Sequence, residues 1–178
     1  MSELREPFPG KLVMSIFAKT VELLEEACTL CTDLWGEIEQ ASSVLPFNQT
    51  DYYRPEFGTD LVRRFYSFKK LVPQNYLKNV KLGVHKLEYQ NSVDGRRKFN
   101  IDPGILTLER LILATGKNYT HRIYLGEGVF ADLTLIFKQG SFRALQWTYP
   151  DYASPESIEF WNGVRQSYLN ELKERGYL

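Results

Sequence analysis

The chain has 178 residues, of which 43% are hydrophobic, and it carries 22 Lys and Arg against 22 Asp and Glu. A chain of this length buries about 70% of its unfolded surface, so it needs no metal or disulfide, and we expect a single domain spanning residues 1–178. With zero net charge there is no overall field to attract nucleic acid or an anionic membrane, and we expect neither as a partner.

The amino-terminal residues lack the basic-then-apolar order of a signal peptide, and no apolar run approaches the ~18 residues of a membrane span. We therefore expect a cytoplasmic protein. Cys28 and Cys31 form a C-x-x-C inside a helical pattern, whereas redox pairs lie at a helix amino terminus, where the dipole favours the thiolate. We expect both thiols to be reduced and packed in the core.

The first half of the chain alternates strands and helices. Residues 11–18 form an apolar run typical of a buried strand, and Thr20 is the expected cap of a helix that stops at Gly36. The other elements predicted in this half are strands at 37–47, 61–71 and 97–102, a loop at 48–59 and a helix at 73–89. This order, β-α-β-β-α-β, predicts an α+β fold with a ferredoxin-like start, in which an antiparallel or mixed sheet carries two helices on one face.

The second half extends that unit by a short helix, a β-hairpin and a C-terminal helix. Apolar residues between 107 and 115 recur at helical spacing, which predicts the short helix. Hairpin arms are predicted at 120–125 and 129–138 around a turn at 126–128, followed by a strand at 141–146. Ser154 and Pro155 are the expected cap and first residue of the last helix.

The length of the hairpin turn predicts which residues of its two arms face each other. Arg122 then opposes Asp132, and we expect a cross-strand ion pair between them. His121 and Ile123 fall on the apolar face of the hairpin, which predicts that both are buried. For His121 we expect a core histidine hydrogen-bonded to backbone, and the alternative is a catalytic or ligand-binding role.

Arg63 and Arg64 are adjacent on a predicted strand, so their side chains point to opposite faces and one of them shares a face with apolar residues. A guanidinium there needs a carboxylate or a bound anion, because an unpaired buried charge costs several kcal/mol. Asp51 and Asp102 are the internal partners that we expect. An anionic ligand or a solvated arginine are the alternatives.

Two segments carry acidic side chains beside residues typical of turns. Asn100-Ile-Asp-Pro-Gly104 predicts a strand that ends in a turn. There Asp102 makes an Asx hydrogen bond or acts as a metal ligand or general base, with Asp51, Asp132 and Asp151 as further acids. Trp147-Thr-Tyr-Pro-Asp-Tyr152 places aromatic rings and an acid before the last helix, where Asp151 either helps to cap that helix or joins a site.

Several sequence motifs that would identify an enzyme are absent. The sequence contains no G-x-x-x-x-G-K-[ST], no G-x-G-x-x-G, no G-x-S-x-G and no H-E-x-x-H. P-loop nucleotide hydrolysis, dinucleotide binding of the Rossmann type, serine hydrolysis through a nucleophile elbow and zinc-protease chemistry are therefore set aside.

Six motifs occur in order along the chain: Thr50-Asp-Tyr-Tyr53, Arg63-Arg-Phe65 with Ser67-Phe68, Asn100-Ile-Asp-Pro-Gly104, His121-Arg-Ile-Tyr-Leu-Gly126, Thr134-Leu-Ile136 and Trp147-Thr-Tyr-Pro-Asp-Tyr152. With them the sequence resembles, over nearly its full length, a bacterial and archaeal family known as domain of unknown function 4416. That family has no established reaction, so the resemblance implies no particular activity.

Taken together, these patterns favour an uncharacterised protein that binds a small anionic ligand, such as a nucleotide or phosphorylated metabolite, in a polar-aromatic cleft. Arginines would hold the anion and aromatic rings would stack on a ring of the ligand. The predicted ligand-binding residues are Asp51, Tyr52, Tyr53, Arg63, Arg64, Asn100, Asp102, Arg122, Tyr124, Trp147, Tyr149 and Asp151.

Two other functions fit the same residues. One is a metal-assisted hydrolase or transferase that uses Asp51 and Asp102, with His121 as a further catalytic candidate. The other is an adaptor that presents its aromatic residues to a protein partner. For the ligand-binding function we expect no metal, and the sequence predicts neither a cofactor nor an oligomeric state.

Overall fold

The computed structural model describes residues 3–48 and 52–178 and has an α+β fold built on a nine-stranded antiparallel sheet. The strands are β1 (Gly10–Ala18), β2 (Ile38–Ala41), β3 (Leu45–Phe47), β4 (Leu61–Val72), β5 (Phe99–Leu106), β6 (Arg110–Thr115), β7 (Arg122–Gly126), β8 (Val129–Lys138) and β9 (Ser141–Ala144). The helices are α1 (Val21–Trp35), α2 (Arg54–Phe57), α3 (Leu77–Gln90), α4 (Pro150–Ala153) and α5 (Pro155–Glu174), with a 3-10 turn at Gln74–Tyr76. The predicted α+β class, antiparallel sheet and C-terminal helix are confirmed. Within the described residues, no helix has both the length and the apolar character that crossing a membrane requires.

Helices cover both faces of the sheet. Along its main path the strands follow the order β2-β4-β1-β5-β6-β8-β7, with β3 on β4 and β9 on β8. α1 and α3 pack against one face, where Leu12, Met14 and Ile16 of β1 are buried. α5 packs against the other face, where Val13 lies in one cluster with Trp161. β1 is therefore buried on both sides, which explains its continuous apolar sequence.

The predicted ends of the long helices are confirmed. The Thr20 hydroxyl accepts a hydrogen bond from the Leu23 N–H at 3.3 Å, and Gly36 ends α1 with φ at 97°, a value that glycine adopts without strain. Ser154 caps α5 by accepting a hydrogen bond from the Ser157 N–H at 3.2 Å, and Pro155 is the first residue of the helix.

Some predictions for the connecting segments are wrong. Residues 107–115 do not form a helix, since strand β6 occupies most of this segment. The apolar residues of this segment fit the periodicity of a helix as well as that of a strand. Pairing with β5 on one side and β8 on the other stabilises the strand. The segment 37–47 contains two short strands rather than one, and the described part of the predicted loop at 48–59 contains α2.

The turn predicted at 100–104 is also wrong, because β5 runs straight through it. β5 pairs with β1 over its whole length but pairs with β6 only from Gly104 to Leu106. Continuing the register between β5 and β6 by one residue would place Pro103 opposite Ala114, and Pro103 has no N–H to donate. The sheet therefore forks at Pro103: β5 stays with β1, while β6 continues alongside β8 to Thr115.

The hairpin has the predicted register over most of its length. The confirmed pairs are Arg122 with Asp132, Ile123 with Ala131 and Tyr124 with Phe130. An irregularity after Tyr124 then pairs Gly126, rather than Leu125, with Val129. The prediction that Ile123 is buried is wrong, since this residue is 70% exposed on β7, the last strand of the sheet.

Both cysteines are free thiols. Cys31 is fully buried in the core beneath α1, as predicted, whereas Cys28 is only half-buried. Burial raises the pKa of both thiols, so both are protonated at neutral pH.

Candidate functional site

The fork in the sheet opens a cleft of about 1380 Å³ between the first half of β5 and the end of β6. Beyond the fork, α3 supplies hydrogen-bond partners in place of β6. Glu88 Oε1 accepts a hydrogen bond from the Ile101 N–H at 2.6 Å, and Lys81 Nζ donates to the Ile101 carbonyl at 3.3 Å. Because side chains satisfy this edge of β5, the space between the two strands stays open.

Most of the residues predicted to bind a ligand line this cleft, although they are far apart in the sequence. The structure brings together Tyr52, Tyr53, Arg63, Asn100, Asp102, Arg122, Trp147, Tyr149 and Asp151, together with His121. Asp51 lies outside the described residues. Two of the predicted residues are not part of the lining: Arg64 donates to the Ser42 carbonyl at 2.7 Å, and Tyr124 packs on Phe130 at the sheet edge. The role of the lining residues in binding stays a prediction.

Arg63 is the arginine that shares a face with apolar residues. It is 5% exposed, and its guanidinium lies over the Phe47 ring at 3.9 Å from the centroid. The carboxylate in contact with it is that of Asp151. Of the two expected partners, Asp102 acts on Arg63 only through its charge and without direct contact, and Asp51 lies outside the described residues. Burial lowers the pKa of Arg63, and the ion pair with Asp151 supplies the opposite charge that the buried cation needs.

Arg122 and His121 share one carboxylate. Arg122 Nε donates to Asp132 Oδ2 at 2.8 Å, which confirms the predicted ion pair. His121 Nε2 lies 3.2 Å from the same oxygen, and the imidazole is stacked on Trp147 with ring centroids 4.7 Å apart. The imidazole is 9% exposed, as predicted, but it bonds to a carboxylate and not to backbone. Since a carboxylate oxygen accepts hydrogen bonds, His121 Nε2 is the donor in this contact.

Asp102 has an amide and an amine as neighbours. Asn100 Nδ2 donates to Asp102 Oδ2 at 3.0 Å, and Lys81 Nζ lies 3.7 Å from Asp102 Oδ1. Across the described ranges 3–48 and 52–178, no three His, Cys, Asp or Glu side chains are placed to hold a metal ion.

Residues 147–152 form a segment that crosses one wall of the cleft. Trp147 stacks on His121, Tyr149 OH accepts a hydrogen bond from Arg122 Nη2 at 3.4 Å, and Asp151 pairs with Arg63. Every second side chain of the segment thus contacts a basic residue of the cleft. Asp151 was expected to cap the last helix or join a site; its carboxylate lies in the cleft, and Ser154 is the cap.

The family described as Domain of unknown function (DUF4416) matches residues 8–168. The chain belongs to this family. The matched range includes every residue that lines the cleft. No curated protein and no solved structure matches the chain.

The cleft of this DUF4416 domain also contains residues that the sequence patterns did not identify. They are Lys81, His85, Glu88, Arg97, Lys117 and Tyr119. The spacing of Lys81, His85 and Glu88 places them on one side of α3, and a polar stripe beside the apolar face of a helix is a pattern that could have revealed them. Lys117 and Tyr119 lie in the connection between β6 and β7, which carries no such pattern.

Glu88 is the most buried carboxylate of the DUF4416 cleft, at 4% exposed. Burial raises its pKa, and the nearby Lys81 partly opposes this effect. Arg97, which lies 3.6 Å from Glu88, is held by Glu56 through two hydrogen bonds of 2.8 Å each. Glu88 therefore depends mainly on the Ile101 N–H and on Lys81 to stabilise its charge.

Proposed function

We propose that the cleft binds a small anionic ligand, such as a nucleotide or phosphorylated metabolite. The observation that carries this proposal is the convergence of basic and aromatic side chains from separate elements on one concave site. At about 1380 Å³ the cleft is larger than a typical small-molecule pocket, so it has room for a ligand of nucleotide size.

Two lysines are the cations best placed to receive the anion. Lys117 is exposed, and in the described part of the chain it has no carboxylate partner; its Nζ lies 3.6 Å from the centroid of the Tyr52 ring. Lys81 is 3.7 Å from Asp102, which is longer than a normal hydrogen bond. Arg63 and Arg122 are already paired with Asp151 and Asp132, so we assign initial attraction of the anion to the lysines.

Exposed aromatic rings at the cleft offer a stacking surface. Tyr52, Tyr119 and Tyr149 are 63%, 65% and 55% exposed, and Trp147 is 39% exposed. Aromatic rings left half in water beside a polar site are typical of surfaces that bind a flat ring. This supports a ligand that carries a base or another planar ring in addition to its anionic group.

The test is thermal unfolding of the full chain with a panel of nucleotides and phosphorylated metabolites. A ligand at 100 times its Kd should stabilise the protein by about 2.7 kcal/mol. Lys117→Gln should weaken this stabilisation, and so should Lys81→Gln. Lys86→Gln, on the exposed side of α3 and outside the cleft, is the matched control. If no member of the panel stabilises the protein, or if the control loses as much as the cleft variants, the proposal is wrong.

We also infer that the first four strands of the main sheet path, with helices α1 and α3, form a ferredoxin-like unit. The strand order β5-β1-β4-β2, with all neighbours antiparallel and with α1 and α3 on one face, supports this inference. An experimental structure in which α1 and α3 lay on opposite faces would contradict it.

A further inference from the structure

Several polar groups at the inner wall of the cleft are buried without normal hydrogen-bond partners. Arg63 Nη1 and Asp151 Oδ2 form an ion pair. Within the described residues, however, Asp151 Oδ2, Arg63 Nε, the Tyr152 hydroxyl and the Ser15 hydroxyl have no hydrogen bond of normal geometry. Arg63, Asp151 and Tyr152 line the cleft, whereas Ser15 is fully buried and is not part of the lining. Tyr152 is close enough to Arg63 and Ser15 to interact electrostatically with both, but no hydrogen bond of normal geometry joins them. Buried polar groups without partners are rare in folded proteins, and each calls for an explanation.

Neighbouring strands hold these groups in fixed positions. Arg63 of β4 is the pairing partner of Phe17 in β1, and Ser15 lies two residues earlier on the same strand. The Arg63 guanidinium is packed between rings, 3.9 Å from the centroid of Phe47, 5.4 Å from Phe17 and 5.6 Å from Tyr152. The donors are therefore oriented before any ligand arrives, which lowers the entropy cost of binding.

We propose that Arg63 and Tyr152 form an oxyanion subsite for a phosphate group, and that Asp151 occupies this subsite in the unliganded protein. The inference rests on the proposed function, because it assigns the anionic group of that ligand. The Asp151 carboxylate forms an ion pair with Arg63 Nη1 but leaves Arg63 Nε and the Tyr152 hydroxyl without an acceptor, whereas a phosphate group has enough oxygens to accept from all of these donors. The phosphate also replaces the negative charge of Asp151, so Arg63 is never left as an unpaired buried cation.

Replacing the Asp151 carboxylate by a phosphate group requires a rotation of the Asp151 side chain and no change of the fold. The Asp151 carbonyl accepts hydrogen bonds from Ser154 Oγ at 3.2 Å and Ser157 Oγ at 2.5 Å, which anchors the backbone to the start of α5. Asp151 is one of the residues that line the cleft, so a rotation of its side chain is the movement that the proposal requires. The neighbouring acid, Asp102, has Lys81 and Asn100 as partners, so its charge is offset as the phosphate enters.

The decisive variant is Asp151→Asn, with inorganic phosphate as the probe. Removing the competing carboxylate should lower the melting temperature and tighten phosphate binding by about tenfold, the size expected for one charge-assisted hydrogen bond. Glu171→Gln is the matched control, because it also removes a carboxylate from an ion pair, in this case with the buried Lys11. Glu171 is not among the residues that line the cleft. It should lose stability without gaining affinity for phosphate. Equal gains in both variants, or no gain in Asp151→Asn, would overturn the proposal.

A second variant keeps the test decisive if Asp151→Asn folds poorly. Tyr152→Phe removes a buried hydroxyl that has no partner among the described residues, so the melting temperature should stay level or rise. Phosphate affinity should fall by about tenfold if this hydroxyl donates to the anion. Unchanged phosphate affinity would contradict the subsite.

The two proposals fail in different ways. If a nucleotide stabilises the wild-type protein while Asp151→Asn gains nothing toward phosphate, the subsite is wrong and the proposed function stands. If Asp151→Asn gains phosphate affinity while no ligand of the panel binds the wild-type protein, the subsite stands and the proposed ligand class is wrong.

Discussion

The two halves of β5 show how one strand serves packing at one end and a site at the other. From Gly104 to Leu106, β5 has strands on both sides and lies in the core. From Phe99 to Pro103 it keeps β1 as a neighbour, but its other edge faces the cleft, where α3 contributes Lys81 and Glu88. A sheet edge can therefore be buried without a neighbouring strand, provided that side chains form hydrogen bonds with its backbone N–H and C=O groups.

The open half differs from the paired half in what stabilises it. The paired half is surrounded by apolar side chains, whereas ion pairs line the cleft beyond the fork. Substitutions in the open half should therefore act through charge, and substitutions in the paired half through volume.

The largest effect is expected from Asp132→Ala, in the part of β8 that lines the cleft. This change leaves Arg122, whose side chain is 8% exposed, without its carboxylate, which costs about 3–5 kcal/mol for a buried pair. Replacing both residues, as Arg122→Met with Asp132→Ala, should cost less than the single change, because no charge is stranded. Urea unfolding of the three variants measures the difference. A double variant less stable than Asp132→Ala would show that the pair does not act through charge.

Gly104→Ala should be the most damaging small substitution in the paired half. A Cβ at this position would lie 2.6 Å from the Ile112 carbonyl oxygen and 2.8 Å from Leu113 Cδ2, and the backbone oxygen cannot move aside. We expect a loss of about 2 kcal/mol. Gly163→Ala in α5 is the control, since its Cβ would meet only the Gln40 side chain at 3.9 Å; it should gain about 0.5–1 kcal/mol of helix propensity. Equal unfolding free energies for the two variants would refute the crowding argument.

Glu88→Gln should change how stability depends on pH. The folded-state pKa of Glu88 is raised above its usual value of 4.5, so its ionisation favours unfolding as the pH rises through that raised value. Glutamine cannot ionise, but its amide oxygen still accepts the hydrogen bond from Ile101. Relative to the variant, the wild-type protein should therefore lose stability with increasing pH. Melting temperatures of both proteins from about pH 4 to about pH 8 test the sign. A wild-type protein that gained stability relative to Glu88→Gln over this range would contradict the prediction.

The smallest effect on stability is expected from Pro103→Ala. The new N–H can bond to the Ala114 carbonyl and add about 0.5–1.5 kcal/mol, while the unfolded chain gains a similar entropy from losing proline. The informative measurement is hydrogen exchange at residue 103. A protected amide would show that proline keeps the strands apart, whereas fast exchange would assign that role to Lys81 and Glu88 of α3.

Elements that depend on local chemistry could be predicted from the sequence. The caps Thr20 and Ser154 act within one helical turn, and the pairing of Arg122 with Asp132 follows from a short turn between the two strands. In both cases the decisive interaction joins residues that are close in the chain, so the pattern alone contains the information.

Elements that depend on distant pairing could not be predicted. The apolar run of β6 is compatible with helix and strand, and only β5 and β8 decide between them. Pro103 and Gly104 are typical turn residues, yet Pro103 lies where a ladder ends and Gly104 where two strands approach closely. The partner of Arg63 was missed for the same reason, because Asp151 is brought to it by the packing of α5 and not by any local pattern.

The position of Pro103 in β5 has a consequence for protein engineering. Strands rise by about 3.3 Å per residue and their ladder bonds recur every second residue, so moving the proline by two positions would change the length of the crevice by about 7 Å. The length of the cleft can thus be changed in discrete steps by substitutions on one strand. Extending the β5–β6 pairing as far as Ile101 would also require replacing Lys81 and Glu88 of α3, because their side chains bond to the backbone of that residue.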